Sequence, residues 1–182
     1  MSTYQEKIDE FIAEFPVCEY ILLEREDLVF SDKVRFICEN ECSRYGHSWA
    51  CPPVIGTIEE CMERCRKFSH ALLFTTAADV PDIADFQGCL NARRDHEQVS
   101  FELTERMKET FGETLTLTTG CMNCNKCAYP DAPCRDPEHR FATIESHGIL
   151  IMQTAADAGL SYNFDGHTVI YFTLIFYNDS AE

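Results

Sequence analysis

Apolar residues recur at helical spacing at the start of the chain. Ile8, Phe11, Ile12 and Phe15 are three or four positions apart, so they fall on one face of a helix. The pattern predicts an amphipathic helix over residues 1–16 that packs on the rest of the protein. The opening has no basic stretch followed by an uninterrupted apolar run, so it is not a signal peptide. We therefore expect a cytoplasmic protein.

Further along, short apolar and β-branched stretches alternate with segments of helical period. The strands are predicted at 20–23, 33–38, 70–76, 114–118 and 168–177. The helices are predicted over 58–67, over 81–111 with a break near Gly88, and over 141–158 with a break at Gly148. Thr57 and Glu60 have the spacing of a capping box at the start of the first of these helices. Strands separated by helices predict an α/β or mixed α+β fold: a single domain over 1–182 with a central sheet of about five strands flanked by helices.

Four closely spaced cysteines indicate the chemistry. We call Cys121, Cys124, Cys127 and Cys134 the first cysteine group. The C-x-x-C-x-x-C spacing of the first three is typical of ferredoxin-type loops, so a [4Fe-4S] cluster is the favoured cofactor. Zinc is the alternative, although zinc loops usually present two separated C-x-x-C pairs.

The fourth ligand of this cluster has two candidates. Cys134 is near in sequence, so it closes a short loop at little entropic cost. In ferredoxin loops, however, the remote ligand is typically followed by proline, and here Cys51 precedes Pro52 whereas Cys134 precedes Arg135. Proximity favours Cys134.

A second set of cysteines precedes the helix at 58–67. We call Cys38, Cys42 and Cys51 the second cysteine group, and they lie among turn-forming and polar residues. We expect them to form a second metal site facing the first, with a fourth ligand from Cys61, Cys65 or His47. Cys61 and Cys65 also belong to an apolar stripe of the predicted helix, so core packing is the competing interpretation for these two.

Composition narrows the class of protein. The chain has 182 residues, 45% of them hydrophobic, which is enough for a real core. Its formal net charge of −16 repels nucleic acid and anionic membrane, so neither is an expected partner. Eleven cysteines in a cytoplasmic protein favour metal over disulfides.

Several strings together resemble a known family. They are Cys42-x2-Tyr45-Gly46, Trp49-Ala-Cys-Pro-Pro53, Gly120-Cys-x2-Cys-x2-Cys127, Cys134-Arg-x-Pro-x2-Arg140, and Glu145 with Gly148-Ile149. From about residue 38 to the C-terminus the chain resembles domain of unknown function family 2284, which is described as predicted metal-binding proteins. The family's Gly-Ile-Asp string ends here in Leu150, without the acid. The resemblance implies a metal or iron–sulfur site and no established reaction.

Three function classes follow. The leading hypothesis is an iron–sulfur protein with one or two [4Fe-4S] clusters that transfers electrons, or assists a redox enzyme, in anaerobic metabolism, with a redox protein as its partner. The alternative is a zinc-stapled structural or interaction protein. The weaker alternative is an iron–sulfur enzyme for a small anionic substrate, in which Arg135 and Arg140 bind the anion.

Overall fold

The computed structural model describes residues 3–160 and 166–179. Five strands of this region form one sheet: β1 (Glu19–Glu24), β2 (His70–Asp79), β3 (Leu115–Thr118), β4 (Ala142–Thr143) and β5 (Thr168–Tyr177). The strand order is β1-β2-β5-β3-β4. Neighbouring strands are antiparallel except β3 and β4, which are parallel.

The described region contains five α-helices. They are α1 (Thr3–Ile12), α2 (Lys33–Glu41), α3 (Ile58–Arg66), α4 (Phe86–Phe111) and α5 (Ile151–Asp157). Short 3-10 helices lie at Arg25–Asp27 and Glu145–His147. Within the residues described, none of the helices has the length and apolarity that crossing a membrane requires.

Both faces of the central strands are buried. Because successive side chains of a strand point to opposite faces, Leu72 and Phe74 of β2 pack with α1 and α4. Ala71 and Leu73 face the other side, where they pack with α3 and α5. Fully burying a side chain such as Phe74 contributes about 1.5–3 kcal/mol, so these two cores fix the sheet on which the loops are mounted.

The mixed α/β class predicted from the sequence is confirmed, but the strand predicted at 33–38 is wrong. This segment belongs to α2, which exposes Phe36 and Ile37 and buries Val34 and Arg35. The Arg35 guanidinium donates to the carbonyl of Ser146 at 2.6 Å and to that of Gly56. The apolar residues at 34, 36 and 37 therefore do not form a buried strand. Instead, the buried Arg35 holds α2 in place, and a hydropathy pattern does not reveal such a contact.

Two of the helix predictions also need correction. Residues 141–147 are not α-helical: they contain β4 and the 3-10 helix at Glu145–His147, and only the part from Ile151 to Asp157 is α-helical. The helix predicted from 81 begins at Phe86 and has no break, because the Asp85 carboxylate accepts from the N–H groups of Gln87 and Gly88. Gly88 thus lies in the first turn of α4, where the Asp85 cap compensates for the low helix propensity of glycine and the helix continues without a break.

The parallel pairing of β3 and β4 explains the position of the first cysteine group. Parallel neighbours need a long crossover, usually a helix. Here the crossover is residues 119–141, which contain neither helix nor strand. Such long irregular connections are uncommon in compact folds and usually functional. We call residues 119–141 the cysteine loop.

Candidate metal centre

The start of the cysteine loop is anchored to α4. The hydroxyls of Thr118 and Thr119 donate to the buried Glu97 carboxylate at 2.8 and 2.6 Å. Arg93, one turn before Glu97, donates to the Thr119 hydroxyl at 2.7 Å and to the carbonyl of Gly120 at 3.1 Å. Burial raises the pKa of Glu97, while the two threonine donors and Arg93 oppose that rise. This network fixes the backbone immediately before Cys121.

All members of the first cysteine group line one cavity of about 50 Å³. A single buried water needs only about 10–15 Å³, so the cavity admits a group larger than one water. The rest of the lining comes from residues 48–50, from other residues of the cysteine loop, and from four charged side chains: Arg44, Arg135, Asp136 and Arg140. Four thiols that share a cavity fit the donor set of a four-thiolate centre.

The Cys127 thiol is surrounded by hydrogen-bond donors. The backbone N–H of Trp49 lies 3.4 Å from its Sγ. Burial raises the pKa of Cys127, but the N–H groups of Tyr129, Trp49 and Ala128 and the Ser48 hydroxyl outweigh it, so the pKa lies below the usual value. Donors of this kind stabilise a thiolate, which is the form that binds a metal.

Cys121 has the thiols of Cys134 and Cys124 as neighbours in the cavity. Burial raises the pKa of Cys121, the N–H of Asn123 opposes the rise, and the proximity of Cys134 and Cys124 adds to it. The repulsion between neighbouring thiolates is relieved when a cation lies between them. Cys51 does not line this cavity.

Several side chains hold the cysteine loop in shape from within and from outside. The Asn123 amide donates to the Asp136 carboxylate at 3.1 Å and to the carbonyl of His139 at 2.8 Å. Arg135 donates to the carbonyl of Lys126 at 2.9 Å, so part of its donor capacity serves the loop itself. The Trp49 indole donates to the carbonyl of Ala132 at 2.9 Å and packs edge-on against the Tyr129 ring.

The second cysteine group lies at the end of α2 and in the loop that follows. Cys38 and Cys42 are one helical turn apart, which brings their Cβ atoms to roughly 5–6 Å. The loop closes through a bond from the Gly46 N–H to the carbonyl of Pro52 at 2.9 Å, beside the buried Cys51. Burial, followed by the proximity of Cys42, raises the pKa of Cys38 to about 11, and Cys51 contributes as well. These three cysteines therefore lie within electrostatic reach of one another.

Ser48 connects the two cysteine groups. Its hydroxyl favours the thiolate form of Cys127 and also that of Cys51. Burial raises the pKa of Cys51, and this hydroxyl opposes the rise. The segment from Ser48 to Cys51 is thus a shared wall between the groups.

The three candidates for a fourth ligand of the second group lie in different surroundings. Cys65 is fully buried in the core with Phe68, and burial raises its pKa to about 12. Cys61 is also fully buried, and its sulfur accepts from Arg64 at 3.0 Å. His47 is exposed. Nothing in these surroundings brings Cys65 or His47 into the second group.

Positive charge next to the cysteines is a feature that the sequence analysis largely missed. Arg44 donates to the carbonyl of Cys121 at 2.8 Å. Burial and the adjacent Arg44 lower the pKa of Arg93, so the two guanidinium groups are close together. In the sequence, Arg44 follows Cys42 of the second cysteine group, but the fold brings it to the first cysteine group. No local sequence pattern could have indicated that contact.

No set of three or more His, Cys, Asp or Glu side chains in the described residues is arranged to bind a single metal ion. A family model described as predicted metal-binding protein, domain of unknown function 2284, matches residues 22–177. The chain belongs to this family, as the resemblance predicted. Neither a curated protein nor a solved structure matches the chain significantly. Metal binding, with the metal unspecified, is therefore the function that the family supports.

Proposed function

We propose that the protein holds a [4Fe-4S] cluster on Cys121, Cys124, Cys127 and Cys134 and acts as an electron-transfer or redox accessory protein. The observation that carries the proposal is the convergence of these four thiols on one cavity. Ferredoxin-type spacing and backbone N–H donors at a cysteine sulfur are both typical of iron–sulfur loops.

The bound cluster would supply one-electron chemistry, and the chain's own residues would set its potential. N–H and O–H groups around Cys127 stabilise negative charge on sulfur. Arg44, Arg135 and Arg140 line the same cavity, and their charge offsets the electron added on reduction. We expect these donors and arginines to raise the potential above that of an otherwise similar site.

Cys134 is the better-supported fourth ligand. It lines the cavity with the other three cysteines and lies near Cys121. Cys51, the rival candidate, neighbours Cys38 and Cys42. Proximity in sequence and position in the fold therefore both favour Cys134 as the fourth ligand, although Cys51 is the cysteine followed by proline.

Anaerobic iron and sulfide analysis of Cys124→Ser tests the proposal. We expect about four irons fewer per chain than in the parent. The exposed Cys18 provides a matched control, and Cys18→Ser should leave the iron content unchanged. Unchanged iron and sulfide in Cys124→Ser would falsify the assignment.

Tightly bound zinc in a colourless parent protein would instead support the zinc-stapled alternative. In that alternative, four thiolate sulfurs surround one zinc ion at a zinc–sulfur distance of about 2.3 Å.

A second cluster on Cys38, Cys42 and Cys51 extends the proposal. The observation that favours it is the electrostatic interaction among these cysteines, which lie on the other side of the segment from Ser48 to Cys51 from the first group. Cys61 is the remaining thiol candidate for the fourth position. Anaerobic reconstitution should give about eight irons per chain, and Cys42→Ser should give about four. A parent value near four that Cys42→Ser leaves unchanged would show that the second group is structural.

A further inference from the structure

A second cavity adjoins the cavity of the first cysteine group. Its volume is about 280 Å³, close to the lower end of the range for small-molecule sites. Trp49, Ala50 and Arg140 line both cavities. The remaining lining combines the apolar residues Ile55, Leu115 and Ala142 with three polar ones, Arg64, Thr116 and His147. We call this space the arginine cavity.

Arg140 brings to the arginine cavity a positive charge that is not paired with any carboxylate of the described residues. Its side chain is half-buried, and it forms no hydrogen bond or ion pair with any other residue that the structure describes. Acidic residues outnumber basic ones by 31 to 15 in this chain, so a carboxylate partner would be easy to supply. A half-buried arginine without one retains its full capacity to bind an anion with two parallel hydrogen bonds.

Arg64 adds a second guanidinium group. Its Nη2 donates to the carbonyl of Ile55 at 2.7 Å and to Cys61 Sγ at 3.0 Å, which fixes its position. Its Nε and Nη1 have no partner among the described residues. Such a preordered arginine loses less conformational entropy on binding than a freely mobile one.

His147 is neutral in this setting. It is almost fully buried, and burial followed by Arg64 lowers its pKa to about 4. Its Nδ1 lies 3.2 Å from the carbonyl of Thr143, which can only accept, so Nδ1 carries the proton. Nε2 faces Arg64 at 3.5 Å. The histidine therefore orients Arg64 and adds no third cation.

We propose that the arginine cavity binds a small organic carboxylate. The two arginines suit a carboxylate group, and Ile55, Leu115 and Ala142 offer an apolar surface to its organic part. Inorganic phosphate would leave that apolar surface without a partner. Because Arg140 lines both the arginine cavity and the cavity of the first cysteine group, a bound carboxylate lies beside the proposed cluster. The binding step itself does not depend on the cluster.

Calorimetric titration of the anaerobically purified protein with benzoate tests this inference. Benzamide, a neutral analogue of the same shape, and inorganic phosphate are titrated in parallel. We expect benzoate to bind more tightly than both. Arg140→Gln should weaken benzoate binding by about ten- to hundredfold, the effect of losing a charge-assisted hydrogen bond. Tighter binding of benzamide or phosphate than of benzoate would overturn the proposal.

Two further variants locate the site. Arg106→Gln removes the same charge from an exposed position of α4 beside Glu109 and should leave the benzoate affinity unchanged. Arg135→Gln changes only the cavity of the first cysteine group. Loss of binding in Arg135→Gln but not in Arg140→Gln would place the anion elsewhere and refute the arginine cavity. Iron is measured on the same samples, so benzoate binding without iron would sink the cluster assignment while supporting this inference.

Discussion

Gly120 is the residue through which the chain enters the cysteine loop. Its φ of 101° lies in the region that favours glycine. A Cβ added there would lie only 2.7 Å from Cγ2 of Thr143, on the neighbouring strand β4. Both the backbone conformation and the close approach of β4 therefore require glycine immediately before Cys121.

We predict that Gly120→Ala destabilises the fold more than Gly112→Ala. Gly112 also has a positive φ, of 83°, but nothing lies within 4 Å of its added Cβ. Gly112→Ala should lower the free energy of unfolding by about 1–3 kcal/mol through backbone strain alone. Gly120→Ala should lower it by a further ~1–3 kcal/mol because of the overpacking against Thr143. Urea unfolding of both variants measures this difference, and equal losses would show that the contact is relieved without cost.

At the residue level the sequence indicates the cysteines as candidate ligands, an assignment that stays a prediction, but it does not indicate their surroundings. Cysteine is rare enough that spacing alone identified Cys121, Cys124 and Cys127 as candidate ligands. Ser48 and Arg93 carry no such signal, because serine and arginine are common on any surface. Their roles arise from contacts with residues about 80 and 27 positions away in the chain, at Cys127 and Gly120, which no short motif records.

At the scale of elements, the segment from Ser48 to Cys51 supports the cysteine loop from outside. Trp49 contributes two hydrogen bonds besides its ring contact with Tyr129: its backbone N–H points to Cys127 Sγ, and its indole donates to the carbonyl of Ala132. Only the second of these hydrogen bonds depends on the side chain. The cysteine loop itself contains no regular structure, so such contacts take the place of a hydrogen-bonded ladder.

We predict that Trp49→Phe accelerates loss of the proposed cluster. The change removes the indole hydrogen bond but keeps an aromatic ring and the backbone N–H. Loss of a hydrogen bond worth ~1 kcal/mol should raise the rate of iron release several-fold. The bleaching of the visible absorption in the presence of an iron chelator measures that rate. Tyr20→Phe is the control, because its hydroxyl bonds Asp9 outside the cysteine loop; equal rates in parent and Trp49→Phe would contradict a supporting role.

Elements with strong local patterns were predictable, and those fixed by distant contacts were not. β2 and β5 are long and apolar, and α3 has the capping box of Thr57 and Glu60 that the sequence indicated. The two-residue strand β4 has no pattern of its own and exists because Ala142 pairs with Leu117 of β3. α2 likewise depends on Arg35, whose buried contacts lie far along the chain at Ser146 and Gly56.

At the scale of the whole molecule, charge is distributed unevenly. The chain carries a formal net charge of −16, yet four arginines lie on or beside the first cysteine group: Arg44, Arg93, Arg135 and Arg140. The negative outer field acts at long range on an approaching protein, whereas the local arginines act within the site. A redox partner that forms an electron-transfer complex with this protein should therefore present a basic surface.

We predict that electron transfer from the reduced protein to a basic acceptor slows as ionic strength rises. Cytochrome c, a basic one-electron acceptor, serves as the probe. Screening shortens the reach of the field to about 8 Å at 0.15 M salt, so the second-order rate constant in a stopped-flow experiment should fall steeply between low salt and that concentration. Ferricyanide, a small anion, is the control and should react faster as salt is added, because screening removes repulsion. A cytochrome c rate that is independent of salt would mean that the net charge of the chain has no part in partner encounter.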